Sequence, residues 1–117
     1  MDLVTEVYFL PDAVYTAVGD DAFHSNMLTS IYLPDTIITI GDSAFCDAFN
    51  LININLNDNI TTIKRRAFYA TDSSKPLQVH ISKLPKSLTT LEMQAFYNGG
   101  SNITVTEIPD GLNTIES

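Results

Sequence analysis

The sequence is short of the residues that build disulfide-stapled, metal-clustered or nucleic-acid-binding domains. Its 117 residues hold a single cysteine, Cys46, which excludes an internal disulfide and any multi-cysteine metal site. There is no tryptophan, and there are two histidines, His24 and His80. Six basic side chains stand against 14 acids for a formal charge of -8, a balance that argues against phosphate-backbone neutralisation. No apolar run approaches the ~18 residues of a membrane span. Met1–Glu6 lacks the basic n-region of a secretory signal, so the chain is expected to carry none. No glycine-rich phosphate loop or carboxylate dyad is present. What the chain does have is apolar mass: 44% hydrophobic residues with only 17% charged, enough to offset chain entropy in a folded domain.

That apolar mass is periodic. An Ala-Phe pair recurs at Ala22-Phe23, Ala44-Phe45, Ala67-Phe68 and Ala95-Phe96. A turn mark recurs at Leu10-Pro11-Asp12, Leu33-Pro34-Asp35, Leu56-Asn57-Asp58, Leu84-Pro85-Lys86 and Ile108-Pro109-Asp110, in steps of 23, 23, 28 and 24 residues. Between the two marks lies a second apolar pair: Val14 and Val18, Ile37 and Ile40, Ile60 and Ile63, Leu88 and Leu91, Leu112 and Ile115. A fixed period of this length is the signature of a solenoid, in which no repeat can bury its apolar face except against its neighbours.

The pattern Leu-x-x-Ile-x-Leu-Pro-x-x-Ile-x-x-Ile-Gly-x-x-Ala-Phe resembles the BspA-like class of leucine-rich repeats over residues 7–117. The family often places Cys three residues after the Phe; Asn26, Ala48, Thr71 and Gly99 hold that column here, and Cys46 lies outside it. The resemblance therefore implies a fold and a general role in recognition, and transfers no functional residue. The expected architecture is a right-handed leucine-rich-repeat solenoid, an α/β, horseshoe-like stack of short parallel strands with one-turn helices. One domain over 1–117 is expected, with repeats near 4–26, 27–49, 50–76, 77–102 and a partial 103–117.

Within each coil, the residues before Pro, such as Thr29–Leu33, are expected to form the parallel sheet, and the second apolar pair another extended leg. Ile31 and Leu33 then point inward and Tyr32 outward. Gly41-Asp42-Ser43-Ala44-Phe45 and its counterparts are expected to make a helical turn, with Asp or Ser as its cap and the Phe plugging the core. Lys64 and Glu92 in the Gly41 column mean that the position does not require positive φ. The strands have two spellings. Leu28, Ile31, Leu33 and Leu51, Ile54, Leu56 form one; Val79, Ile81, Leu84 and Ile103, Val105, Ile108 form the other, which Val4, Val7 and Leu10 also resemble. The change predicts a bulge or break near Ser82-Lys83 and Thr106-Glu107. The extra residues around Ala70–Pro76 predict a surface loop.

The candidate recognition patch is the outward strand column of Phe9, Tyr32, Asn55 and Lys83, with Glu107 beyond them. Exposed aromatics on a rigid sheet make good binding anchors, although Phe9 and Tyr32 shielding each other is the competing reading. All six basic residues fall between Lys64 and Lys86. Lys64, Arg65 and Arg66 replace Gly41, Asp42 and Ser43 of the previous coil, which places Arg65 beside Asp42. The cluster reads as a charge-relieving rung or as an anion-binding spot on an acidic body, the rung being the reading favoured. Tyr69 and Tyr97 form a second aromatic pair expected to pack on a neighbouring coil or the loop.

The acids Asp12, Asp35, Asp58 and Asp110 after the turn mark could ladder as calcium ligands, but no second ligand column accompanies them; each is expected to satisfy its own turn. Column alignment sets His24 beside Cys46. Asp47 is the residue that would orient such a pair, but it is expected to face solvent, so no nucleophilic site is assigned. Asn59-Ile60-Thr61 and Asn102-Ile103-Thr104 match the glycosylation sequon and are treated as chance matches. No catalytic residue, metal or cofactor is implied.

The resulting expectation is non-catalytic recognition of a protein or surface glycan, as an adhesion or display module. Two alternatives stand beside it: an assembly module whose solenoid ends bind other subunits, and a small acidic decoy that competes with nucleic acid for a basic partner. Ile108, Leu112 and Ile115 at one end, and Val4, Val7, Tyr8 and Phe9 at the other, have no polar cap. Further repeats, another domain or another subunit are expected to cover them. The low charge density and Ser, Thr and Asn content suit an extracellular, cell-surface or virion-associated setting, without nucleic acid or a membrane span.

Overall fold

Among the described residues, seven two-residue strands, all paired in parallel, mark successive coils of a solenoid in a computed structural model of the protein. The structure describes residues 7, 9–10, 14–25, 27–112 and 114–115; Val4, Tyr8, Pro11, Asp12 and Asn26 lie outside them. The strands are β1 (Ala17–Val18), β2 (Ser30–Ile31), β3 (Thr39–Ile40), β4 (Asn53–Ile54), β5 (Thr62–Ile63), β6 (Thr90–Leu91) and β7 (Thr114–Ile115). The order β1-β3-β5-β6-β7 makes one continuous sheet, and β2-β4 makes a second.

The continuous sheet corrects the expected layout, because it runs along the leg after Pro and not the leg before it. In that later leg the apolar pair keeps a three-residue spacing from Ile37-Ile40 through Leu112-Ile115, so Thr39, Thr62, Thr90 and Thr114 pair in register. The leg before Pro changes spelling between coils. There β2 and β4 pair Ile31 with Ile54, and only an isolated bridge joins Ile81 to Ile103. The predicted break is visible as two successive exposed residues, Ser82 and Lys83, between buried Ile81 and Leu84. Thr106 and Glu107 repeat it in the last coil, where both are exposed.

The expected one-turn helices are a second correction: the described residues contain no helix. Each Ala-Phe segment is instead a pair of turns. Ala22, Ala44, Ala67 and Ala95 donate to the carbonyl three residues back, around left-handed Asp21, Ser43, Arg66 and Gln94 with φ between 56° and 57°. Ser25, Asp47 and Asn98 are left-handed in the following turn. This conformation costs a non-glycine residue on the order of 1 kcal/mol or more, and it is offset by bonds between coils. The N–H groups of Ser43, Phe45 and Asp47 donate to the carbonyls of Arg65, Ala67 and Tyr69 at 2.8–2.9 Å. Alternate N–H groups are thus spent within the turn and across to the next coil, which satisfies a buried backbone that a helical turn would leave unpaired.

The core is a set of columns. Phe45 and Phe68 are fully buried, and the rings Phe23, Phe45, Phe68 and Phe96 stack 5.2–5.5 Å apart. Leu28, Leu51 and Val79 form a second buried column, and Ile37, Ile60 and Leu88 a third. Gly41 is required by close approach, since a Cβ there would lie 2.6 Å from the carbonyl oxygen of Val18; its φ is not positive, as expected.

Short polar side chains join the coils where charge was expected to serve local turns. Asp20 accepts the Asp42 N–H at 2.8 Å, and Asp58 accepts the Lys86 N–H at 3.0 Å, so these acids serve neighbouring coils and not their own turns. Asn57 does bond within its own turn, to the Asn59 N–H at 2.9 Å. The loop prediction holds: Thr71–Pro76 is exposed and is turned by Asp72, whose carboxylate accepts from the Ser74 N–H and hydroxyl. Those two bonds hold the Asp72 carboxyl below its ordinary range.

The first coil departs from its expected register. Leu10 and Val14, assigned inward, are 68% and 76% exposed, and Phe9, assigned outward, packs against the core edge-on to Tyr15 with ring centroids 5.1 Å apart.

Candidate functional site

The leg before Pro places Tyr32 between two buried residues, and that local alternation makes it an anchor. Ile31 and Leu33 are 1% and 3% exposed and Tyr32 is 69% exposed, as the period-2 reading required. The ring is therefore held outward by its neighbours' burial. Phe9 does not shield it, because Phe9 turns to Tyr15.

Asn55, one coil on, is tied into the scaffold. Its Oδ1 accepts from the Leu33 N–H at 2.5 Å and its Nδ2 donates to the Leu33 carbonyl at 3.0 Å. The amide thus completes the backbone bonding of a buried neighbour and holds the segment next to Tyr32. Lys83 is exposed and lies in an open groove that also takes Lys86, Ser82, Thr104 and Glu107. Two ammonium groups beside hydroxyls and carboxylates give this groove mixed polarity, with Ile108, 60% exposed, at its rim. Lys86 and Thr104 were not singled out from the sequence. Only the break at Ser82-Lys83, which exposes two consecutive residues, hinted at an opening there.

The basic cluster is occupied by its own neighbours. The Arg65 guanidinium lies 3.3 Å from Asp42 Oδ2, one coil back as the columns predicted, and its backbone N–H donates to Glu92 Oε1 at 3.2 Å. Arg66 Nε donates to Gln94 Oε1 at 3.3 Å, and its guanidinium carbon lies 5.2 Å from the centre of the Tyr69 ring. Tyr69 stacks on Tyr97 at 5.3 Å, so the second aromatic pair packs coil against coil. Lys64 is half-buried at the start of the same turn. The geometry of Arg65 and Arg66 is that of rungs between coils.

The turn leg brings His24 and Cys46 together, as aligned, and adds Asp47. Asp47 was expected to face solvent but is 8% exposed, because Thr71 donates to it twice, from N–H at 2.8 Å and from hydroxyl at 2.9 Å. Its Oδ2 lies 3.9 Å from His24 Nε2. Cys46 is 4% exposed, and burial pushes its thiol up to about 11, with the Asp47 charge adding to the rise and Arg66 opposing it. A thiol held protonated in this way is a poor nucleophile at neutral pH. Both sequons are also engaged: Asn59 Nδ2 donates to the Asp35 carbonyl at 2.8 Å and Asn102 Nδ2 to the Gln78 carbonyl at 3.1 Å.

Residues 16–117 match the family described as BspA type leucine rich repeat region (6 copies). Among solved structures, a leucine rich repeat protein of T. pallidum superposes with a TM-score of 0.71 at 23% identity, covering 92% of this chain and 48% of its own. A leucine-rich repeat protein from Bacteroides capillosus superposes with a TM-score of 0.58 at 22% identity, covering 87% of this chain and 63% of its own. The chain thus spans about half the length of the T. pallidum protein. No curated protein matches it by sequence. Among the described residues, no helix is long and apolar enough to cross a membrane.

Proposed function

Because the chain belongs to the BspA-type leucine-rich-repeat family, we propose that it is a non-catalytic recognition module of the adhesion or display kind. The observation that carries this reading is Tyr32, a large aromatic just past β2 held 69% exposed between buried Ile31 and Leu33. A rigid aromatic offers contact area at little entropic cost, which is how binding surfaces concentrate their energy. The groove with Lys83 and Lys86 supplies polar partners on a later coil, suited to acidic or hydroxyl-rich groups on a protein or surface glycan. An extracellular or surface-exposed setting goes with this reading.

The test is binding of the 117-residue chain to a panel of immobilised matrix proteins and glycans, repeated with Tyr32→Ala and Lys83→Ala. Both variants are expected to keep the wild-type circular dichroism spectrum and melting curve while losing at least tenfold in affinity. Unchanged binding in both would overturn the assignment of this face.

A second reading, assembly through the solenoid ends, is favoured by a separate observation. Leu10 and Val14 in the first coil, and Ile108 in the last, are 68%, 76% and 60% exposed. Apolar side chains at the ends of a repeat stack call for capping by another coil, domain or subunit. Light scattering over a concentration series distinguishes the two: growth above 12.9 kDa supports assembly, and a monomer at all concentrations counts against it.

A further inference from the structure

His24, Cys46 and Asp47 converge on one point of the turn leg although they come from two coils. Each offers one ligand atom, and these atoms all lie within 4.8 Å of one another. The imidazole is already oriented. Its Nδ1 lies 3.4 Å from Asp21 Oδ1, while its Nε2 lies 3.9 Å from Asp47 Oδ2. Asp21 thus stands beside Nδ1, where a carboxylate supports a histidine ligand, and Nε2 is on the side of Asp47. The Asp47 carboxylate is fixed from the far side by Thr71 N–H and hydroxyl. Cys46 and Asp47 are buried at 4% and 8% exposure, whereas the His24 side chain is 41% exposed, so the group has a screened floor and one open side.

A surface ion pair between His24 and its two carboxylates would explain the nitrogen and oxygen positions, but it has no use for a sulfur atom at the same point. The columns account for the convergence. His24 and Cys46 share a position one coil apart, and left-handed Asp47, with φ 57°, follows Cys46 directly. We propose that His24, Cys46 and Asp47 bind one divalent transition metal of the zinc type, with Asp21 orienting the histidine and the open side left to water.

One nitrogen, one sulfur and one oxygen donor suit a borderline-soft ion, whereas calcium and magnesium take sets made of oxygen. Bonds of about 2.0–2.3 Å require donors roughly 3.5 Å apart, so the ligands must close from their present spacing. His24, the exposed member, is the one free to move inward. From the sequence the pair reads only as a nucleophile and its base, because Asp47 is expected to face solvent; its burial is what supplies the third donor. Bound metal would join the first coil to the second, with Thr71 of the third behind it. Leu10 and Val14, both exposed, lie in that first coil.

The experiment is titration of cobalt(II), as a spectroscopic probe, into the chelator-treated 117-residue chain. One equivalent is expected to bind, giving a thiolate-to-cobalt charge-transfer band and visible d–d bands that zinc displaces. Zinc is expected to raise the melting temperature. Cys46→Ala should abolish the charge-transfer band, and His24→Gln, at an exposed position, should weaken binding at least tenfold while keeping the fold. Asp21→Asn should weaken it by about 10–100-fold, as orienting partners do. Absence of the charge-transfer band in the wild type, or binding of equal strength in folded His24→Gln, would overturn the proposal.

Discussion

The rings of Phe45 and Phe68 lie 5.2 Å apart and within 7° of parallel, each fully buried, with Phe23 and Phe96 continuing the stack on either side. Coil spacing imposes this geometry: identical residues at identical positions can only lie face over face. Truncation at either position removes contacts with two neighbouring coils at once. Phe45→Ala and Phe68→Ala are each expected to cost about 3–5 kcal/mol, read as a lowered urea midpoint. A loss below about 1 kcal/mol would show that the column is not continuous.

Asn55 bonds both the N–H and the carbonyl of Leu33, and Leu33 is 3% exposed. Asn55→Ala leaves both groups without their partner and should destabilise the chain by about 1–3 kcal/mol. Asn55→Asp retains the acceptor but sets a carboxylate oxygen against the Leu33 carbonyl, so it should cost at least as much as Asn55→Ala. Chemical denaturation of the three proteins measures the order.

Arg65 and Asp42 form a cross-coil ion pair in which the Arg65 side chain is 52% exposed. Solvent screening limits such a pair, and Arg65→Ala should cost less than about 1 kcal/mol. The loss should shrink further in high salt. A much larger cost, or one insensitive to salt, would mean that the guanidinium acts through packing.

Cys46 provides a pH-dependent prediction for the metal-free chain. Its thiol is pushed from an ordinary 9.0 up to about 11 in the folded state, by burial first and then by the Asp47 charge. The unfolded chain therefore loses this proton first as pH rises. The resulting stabilisation is complete below about pH 9 and is lost between about pH 9 and 11. With chelator present, wild type should lose stability across that window faster than Cys46→Ala. Parallel pH profiles for the two proteins would show the thiol to be unperturbed. Alkylation of Cys46 at neutral pH should likewise be slow until the chain unfolds.

Ser43 tests the turn geometry. It is left-handed at φ 56° where the sequence suggested a helical turn. Ser43→Gly relieves that conformation and is expected to be neutral or stabilising by up to about 1 kcal/mol. A helical residue would instead lose about that much on the same change. Thermal melts of the two proteins decide the sign.

Much of the architecture was legible because a solenoid writes its contacts into one period. The Ala-Phe and Leu-Pro columns located the core, the five extra residues located the loop at Thr71–Pro76, and the change of spelling located the break at Ser82-Lys83. Period-2 alternation placed Tyr32 outward. Column alignment placed Arg65 beside Asp42 and His24 beside Cys46.

What the sequence determined by itself, then, was the coil: its period, its inward residues and which positions recur side by side. The tertiary structure alone decided how those coils join. Asp-Ser-Ala-Phe reads locally as a helical turn, but in a stack each buried N–H must be answered, and bonds to the next coil replaced the helix with paired left-handed turns. The longer sheet settled on the leg after Pro because the three-residue spacing holds there from Ile37-Ile40 to Leu112-Ile115, whereas the leg before Pro changes spelling after β4. Asp47 became buried because Thr71, 24 residues away, donates to it twice. Each outcome rests on a partner more than 20 residues distant along the chain, which local propensity cannot encode.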